Sequence, residues 1–165
     1  MQYRTEVISY LQSSKILSGE LTMQITPYVF YNGRCEEAIA FYLAATDGEL
    51  LFKMTFGDMP DETTVEDEGC PSGVSFSPEQ IMHAHLRIGQ GELMMSDGAP
   101  QANYAGFSIS LSTPDEAQGK RWFDALSAGG EVTKKWEPTF WAHGFGMFTD
   151  KFGVPWMVNA DKPQS

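Results

Sequence analysis

The chain has 165 residues, 42% of them hydrophobic, and a formal net charge of −11. This length and apolar content predict one compact globular domain. The excess of carboxylates repels phosphate backbones and anionic lipid, so we expect neither nucleic acid nor a membrane surface as a partner. The chain has only two cysteines, no apolar run long enough to span a membrane, and no secretory leader pattern, which predicts a cytoplasmic protein.

The domain is expected to begin at about residue 23. Residues 1–22 carry apolar side chains at roughly helical spacing, interrupted by Ser-Ser and Ser-Gly pairs. They are interpreted as an N-terminal extension, either a short packing helix or a dispensable segment. Residues 23–165 form the single domain, with module one at about 23–98 and module two at about 106–160.

The first half of the chain predicts a strand, a helix and three further strands. Apolar and aromatic residues over 24–31 indicate a strand, and the 3.6-residue apolar period over 35–46 indicates a helix. Gly48 suits the left-handed position that ends a helix. The acidic stretch 58–69 lacks the ligand spacing of a calcium loop and is expected to be a solvated loop. The later strands are predicted at 49–56, 81–88 and 92–96, the last two joined by a glycine-containing hairpin.

The second half repeats this order of elements. A strand over 106–112 precedes a helix for which Thr113 is the predicted N-cap and Pro114 the first helical residue. Three strands follow, one over 131–136 and two within the aromatic stretch 139–159. Such an internal repeat predicts an α+β fold of two βαβββ modules whose curved mixed sheets form a cleft.

Several motifs give the chain a family resemblance between residues 25 and 159. It resembles PhnB-like proteins, a branch of the vicinal oxygen chelate superfamily that also holds glyoxalase I, bleomycin-resistance proteins and extradiol dioxygenases. The resemblance implies paired βαβββ modules, a small-molecule ligand and a homodimer. The motifs are Thr26-Pro27-Tyr28, Gly69-Cys70-Pro71-Ser72-Gly73, Met94-Met95-Ser96-Asp97, the six residues 119–124, and the whole stretch 139–159.

The resemblance also implies a metal, which superfamily enzymes hold with His, Gln or Glu on the first and last strands of each module. The metal acts there as a Lewis acid on vicinal oxygens of the substrate. No residue at the matching positions of this chain is a strong ligand for zinc, nickel or iron. We therefore expect no cofactor, with a divalent metal at another site as the alternative. The matching positions hold Tyr28, Phe30, Met94, Ser96, Ser108, Ser110, Met157 and Asn159.

Two histidines on one predicted strand are the first candidate site residues. His83 and His85 are two residues apart, so their side chains lie on the same face of the sheet. They are either two ligands of a metal site completed by His143 or Asp97, or hydrogen-bonded histidines on a half-exposed sheet. Asp97 itself precedes a glycine, and is either a general base or a turn residue.

Trp141 and His143 also share a face, because they are two residues apart in the aromatic stretch. They could form a ligand-binding wall with an imidazole able to transfer a proton, or a packing cluster in the core or at a dimer interface. Cys70 is a poor candidate nucleophile, because its acidic neighbours disfavour the thiolate.

Two functional hypotheses follow. The first is a small-molecule-binding protein without the superfamily's usual metal ligands, whose aromatic cleft holds an amphipathic or cationic ligand. The alternative is a metal-dependent lyase, isomerase or dioxygenase with a relocated site that uses His83, His85 or His143. The residues leave open whether the chain is an enzyme. The candidate pocket residues are His83, His85, Asp97, Trp141 and His143.

Overall fold

A computed structural model describes residues 24–60, 75–99 and 104–163. The predicted N-terminal extension at 1–22, the acidic loop beyond residue 60, Cys70 with its turn, and the linker residues 100–103 lie outside the described residues. Among the helices that are described, none has the length and apolar character needed to cross a bilayer.

The described residues of module one form one α-helix and four strands. Its sheet has the order β1-β4-β3-β2, in which β1 runs parallel to β4 and the other neighbours are antiparallel. A 3-10 turn at Phe56–Asp58 follows β2. The elements are β1 at Tyr28–Phe30, α1 at Cys35–Thr46, β2 at Glu49–Thr55, β3 at Ile81–Ile88 and β4 at Gly91–Ser96.

Module two repeats this topology. Its sheet has the order β5-β8-β7-β6, with β5 parallel to β8. The predicted α+β fold of two βαβββ modules is therefore confirmed, since each module has one parallel strand pair and two antiparallel pairs. The elements are β5 at Ile109–Thr113, α2 at Glu116–Ser127, β6 at Glu131–Glu137, β7 at Ala142–Thr149 and β8 at Pro155–Asp161.

The two modules share one hydrophobic core on the helical side. Each helix packs on one face of its own sheet, and the two helices also contact each other. Tyr42 of α1, Phe123 of α2 and Trp156 of β8 are all buried in the same cluster. The helix-facing side of each sheet is therefore used for packing, while no described helix covers the opposite face.

The end of α1 differs from the prediction. Asp47, and not Gly48, adopts the left-handed conformation, with φ of 52°. Aspartate tolerates this region because its short side chain can bond locally. Gly48 is needed for another reason: a Cβ there would lie 2.8 Å from the carbonyl oxygen of Arg87. The close approach of β3 explains the glycine.

The start of α2 also differs from the prediction, which was wrong by two residues. The N-cap is Asp115, whose carboxylate accepts hydrogen bonds from the backbone N–H groups of Ala117 and Gln118. Thr113 remains in β5, where it is paired with Ala160 of β8 and buried. Both residue types are good N-caps, so the length of the β5 pairing decides between them.

Candidate functional site

The outer face of the module-one sheet carries aromatic, thioether and imidazole side chains. These side chains form one continuous surface across β2, β3 and β4. In the strand register Met54 lies opposite His83, and His85 lies between Phe52 and Met94. The helix-facing neighbours Ala84 and Leu86 are buried in the core. We call this outer surface the module-one face; it comprises Tyr28, Phe30, Phe52, Met54, His83, His85 and Met94.

His83 lies at the centre of the aromatic part of this face. Its Nδ1 is 3.0 Å from the hydroxyl of Tyr28, and the rings of Tyr28 and Phe52 have centroids 5.5 and 5.9 Å away. Its Nε2 is buried and has no hydrogen-bond partner among the residues that the structure describes. Burial, and secondarily the neighbouring His85, lowers the pKa of His83 to about 4. The imidazole is therefore neutral near pH 7.

His85 borders a network of ion pairs that leads away from His83. The His85 ring is buried, with Nε2 at 3.0 Å from Glu92 Oε2, an ion-pair distance at which the N–H is poorly directed for a hydrogen bond. Arg87 then bridges Glu92 at 3.5 Å and Glu49 at 3.2 Å. The Glu92 carboxylate lies against the His85 ring, which distinguishes the environments of the two histidines.

Asp97 is engaged by the backbone. It is 3% exposed, and its Oδ1 accepts hydrogen bonds from the N–H groups of Gly33 at 2.7 Å and Cys35 at 3.1 Å. Its Oδ2 accepts one from Ile81 N–H at 3.0 Å. Asp97 thus joins β3 to the start of α1. Burial is also the main reason that the pKa of the Cys35 thiol is raised, with Asp97 adding to it.

Trp141 lies immediately before β7 and His143 lies within it, so both belong to module two, whereas His83 and His85 belong to module one. Trp141 Nε1 donates to Asn159 Oδ1 at 3.1 Å, and the indole contacts the rings of Phe140 and Phe145. His143 is exposed. The structure therefore distributes the five candidate residues over the two modules, and that any of them binds a ligand stays a prediction.

The side chains at the positions where superfamily enzymes hold their metal do not fit such a metal. The matching positions offer phenol, phenyl, thioether, hydroxyl and amide groups, which are weak ligands for zinc, nickel or iron. In the part of the chain that the structure describes, no three or more His, Cys, Asp or Glu side chains are grouped so that they could hold a metal ion. We therefore derive no chemistry through a metal, and the absence of a cofactor stays a prediction.

One buried carboxylate was missed in the sequence. Asp150, in the turn between β7 and β8, accepts hydrogen bonds from the hydroxyl of Tyr42 at 2.6 Å and from Trp156 Nε1 at 2.9 Å. It also accepts from the backbone N–H groups of Phe152 and Val154. Its contact with Tyr42, 108 residues away, leaves no local signal in the sequence.

Two βαβββ repeats with open, curved sheets are the architecture of glyoxalase-like proteins. Comparison with family models assigns the chain to the same class. Residues 24–158 match the family model described as the Glyoxalase/Bleomycin resistance protein/Dioxygenase superfamily. The chain belongs to this superfamily, and the resemblance seen in the motifs is confirmed.

Individual relatives extend over most of the chain. It is 47% identical over 144 residues to Protein YjdN of Escherichia coli, covering 86% of this chain and 98% of that protein. The structure of PA1353 from Pseudomonas aeruginosa is 39% identical, with a TM-score of 0.70, and covers 86% of this chain and 100% of that one. A PhnB protein from Bacillus cereus, titled a putative 3-demethylubiquinone-9 3-methyltransferase, is 21% identical with a TM-score of 0.63, over 83% and 98% of the two chains. At that identity the likeness shows the fold alone.

Proposed function

We propose that the chain binds an amphipathic small molecule on the module-one face. The observation that carries this proposal is His83, a neutral imidazole between two aromatic rings, whose buried Nε2 has no hydrogen-bond partner within residues 24–60, 75–99 and 104–163. A buried polar atom without a partner costs about 1 to 3 kcal/mol, so a fold retains one for a reason. Perturbed titratable groups concentrate at functional sites.

The surroundings of His83 support an apolar ligand body. Phe30 and Tyr28 have ring centroids 5.1 Å apart, and Phe52 and Met54 on β2 are only half-buried. Thioether side chains adapt to ligands of different shape, and aromatic side chains provide a large contact area. Small-molecule sites usually contain a few polar groups among many apolar side chains, as this face does.

The proposal is tested by titration with N-phenyl-1-naphthylamine, an uncharged aromatic probe whose fluorescence rises in apolar surroundings. We expect saturable binding of one probe per chain. Replacement of Phe52 by serine removes a ring from the face, and should weaken binding about tenfold, equivalent to about 1.4 kcal/mol.

The matched control is Val132→Ser, because Val132 is an exposed apolar residue on β6 of the other module. It should leave the affinity for the probe unchanged. Binding that is weakened equally by both substitutions, or that does not saturate, would contradict the proposal. Far-UV circular dichroism of both variants checks that the fold is retained.

We also propose that two copies of the chain form a homodimer. Ile25, Leu50 and Phe107 are large apolar side chains that are exposed in a single copy, and the resemblance to PhnB-like proteins implies such an assembly. Sedimentation velocity over a wide concentration range tests this. A mass of one chain at every concentration would contradict it.

A further inference from the structure

A second group of aromatic side chains lies on the module-two sheet, at the start of β7. The rings of Phe140 and Trp141 have centroids 4.6 Å apart at 82°, and those of Trp141 and Phe145 are 5.6 Å apart at 64°. Phe140 is 91% exposed and Trp141 is 44% exposed. We call these three residues the aromatic corner. Exposed apolar groups that cluster among polar residues mark interaction sites, whereas single exposed ones do not.

The indole of Trp141 is held in one orientation. Its Nε1 donates to Asn159 Oδ1, and the side-chain amide of Asn159 donates in turn to the carboxylate of Asp161. The backbone carbonyl of Trp141 accepts a hydrogen bond from the N–H of Lys162 at 3.2 Å. Because the indole N–H is engaged, Trp141 offers a ligand its ring surface. This pre-organisation lowers the entropy lost on binding.

Two carboxylates lie next to the aromatic corner. Glu137 on β6 is paired with Phe145 across the antiparallel register, so the two side chains share a face. Asp161 ends β8 and is linked to Trp141 through Asn159. Glu137 and Asp161 are both exposed. Negative charge therefore borders the corner on both neighbouring strands.

The lysines on or next to the neighbouring strands β6 and β8 are Lys134, Lys135 and Lys162, of which Lys134 and Lys135 are exposed. Lys134 Nζ is 3.9 Å from Glu137, at the limit of an ion pair, and both side chains are exposed, so this contact neutralises little. Lys162 Nζ donates to the carbonyl of Thr139 at 2.6 Å, which holds it at the backbone. With a net charge of −11 over the whole chain, the field at this surface favours a positive ligand.

We propose that the aromatic corner binds an organic cation, in particular an alkylated or quaternary ammonium group. The faces of aromatic rings carry negative electrostatic potential and attract cations within about 6 Å of the ring centre. A methylated ammonium group is only weakly hydrated, so it loses less solvation against a ring than a metal ion does. The corner lies on the other sheet from the module-one face, and the inference does not depend on the function proposed there.

The test compares choline with 3,3-dimethyl-1-butanol, its uncharged isostere, in titrations followed by the indole N–H resonances of the tryptophans. The Trp141 resonance is assigned by its loss in Trp141→Leu. We expect choline to shift it with a Kd of about 1 to 10 mM, and the isostere to bind at least about fivefold more weakly.

Variants separate the corner from other surfaces. Phe140→Ala should weaken choline binding by at least about threefold; since Phe140 projects into solvent, its removal should leave the fold intact. Glu137→Gln should weaken choline binding but not that of the isostere. The control is Val132→Ala, which shortens an exposed apolar side chain outside the corner and should change neither. Equal affinity for choline and its isostere, no shift with choline, or no effect of Phe140→Ala would overturn the proposal.

Discussion

The buried contact between Tyr42 and Asp150 predicts a measurable energetic coupling between the two modules. Tyr42 lies on α1 of module one, and its hydroxyl donates to Asp150 Oδ2, which also receives the indole N–H of Trp156 in module two. Burial raises the pKa of Tyr42 well above its usual value, so the phenol keeps its proton at neutral pH. The perturbation is a double-mutant cycle of Tyr42→Phe and Asp150→Asn.

The magnitude follows from what each substitution leaves behind. Tyr42→Phe removes a hydrogen bond to the Asp150 carboxyl group at 2.6 Å, which contributes about 1.5 to 3 kcal/mol, and it also removes the acceptor of the Tyr31 hydroxyl in both arms of the cycle. Asp150→Asn keeps one acceptor oxygen but places an amide N–H₂ among donors, and should cost about 2 to 4 kcal/mol. In the double variant the shared bond is lost only once. We therefore expect a coupling energy of at least about 1 kcal/mol.

The free energies of unfolding are measured by urea titration with tryptophan fluorescence and far-UV circular dichroism as two probes. The control cycle pairs Tyr42→Phe with Asp97→Asn, a second buried carboxylate whose partners are the backbone N–H groups of other residues. That pair should be additive within about 0.5 kcal/mol. If Tyr42 and Asp150 were equally additive, the reasoning would be refuted, because the bond would then carry no net stability.

Two further predictions concern His83 and Gly144. The pKa of His83 is lowered from 6.5 to about 4, so between those pH values the unfolded chain binds a proton that the native chain does not. Stability that is present above pH 6.5 is therefore lost as the pH falls towards 4. The free energy of unfolding of the wild type should fall by about 1 to 2 kcal/mol more than that of His83→Phe, a figure discounted for partial exposure, and urea unfolding at pH 6.5 and pH 4 measures both. Gly144→Ala should destabilise by at least about 2 kcal/mol, since its Cβ would lie 2.2 Å from the Trp136 ring, whereas Gly91→Ala meets only ordinary contacts; equal thermal midpoints for the two variants would count against this.

The order of helices and strands could be predicted from the sequence, because the elements have a local periodicity of apolar residues. The helix over Cys35–Thr46 was predicted with the bounds that the structure has, since its apolar residues repeat with the helical period. The errors occurred where two residues of the same propensity stand close together. Asp47 and Gly48 can both adopt a positive φ, and Thr113 and Asp115 can both cap a helix. In each case a partner strand decides, and that information is tertiary.

The candidate site was only partly accessible. The two-residue period predicted that His83 and His85 share a face, and their ring centroids are 6.5 Å apart. It could not distinguish them, because Tyr28, which contacts His83, is 55 residues away in the sequence. Pairing of β1 with β4 brings Tyr28 to that position. The backbone partners of Asp97 were hidden for the same reason.

Alternate side chains of β3 serve packing on one face and contact with the surroundings on the other. This alternation determines which positions of the strand tolerate substitution. Ala84 and Leu86 point to the helices and are completely buried, while His83 and Arg87 point outward. Exchanges at the partly exposed outward positions, such as Arg87, leave the packed interior untouched and typically alter stability by less than about 0.5 kcal/mol, unlike exchanges at the buried His85. Substitutions at these partly exposed positions can therefore change what the sheet binds with little loss of stability, so the same fold can support different binding specificities.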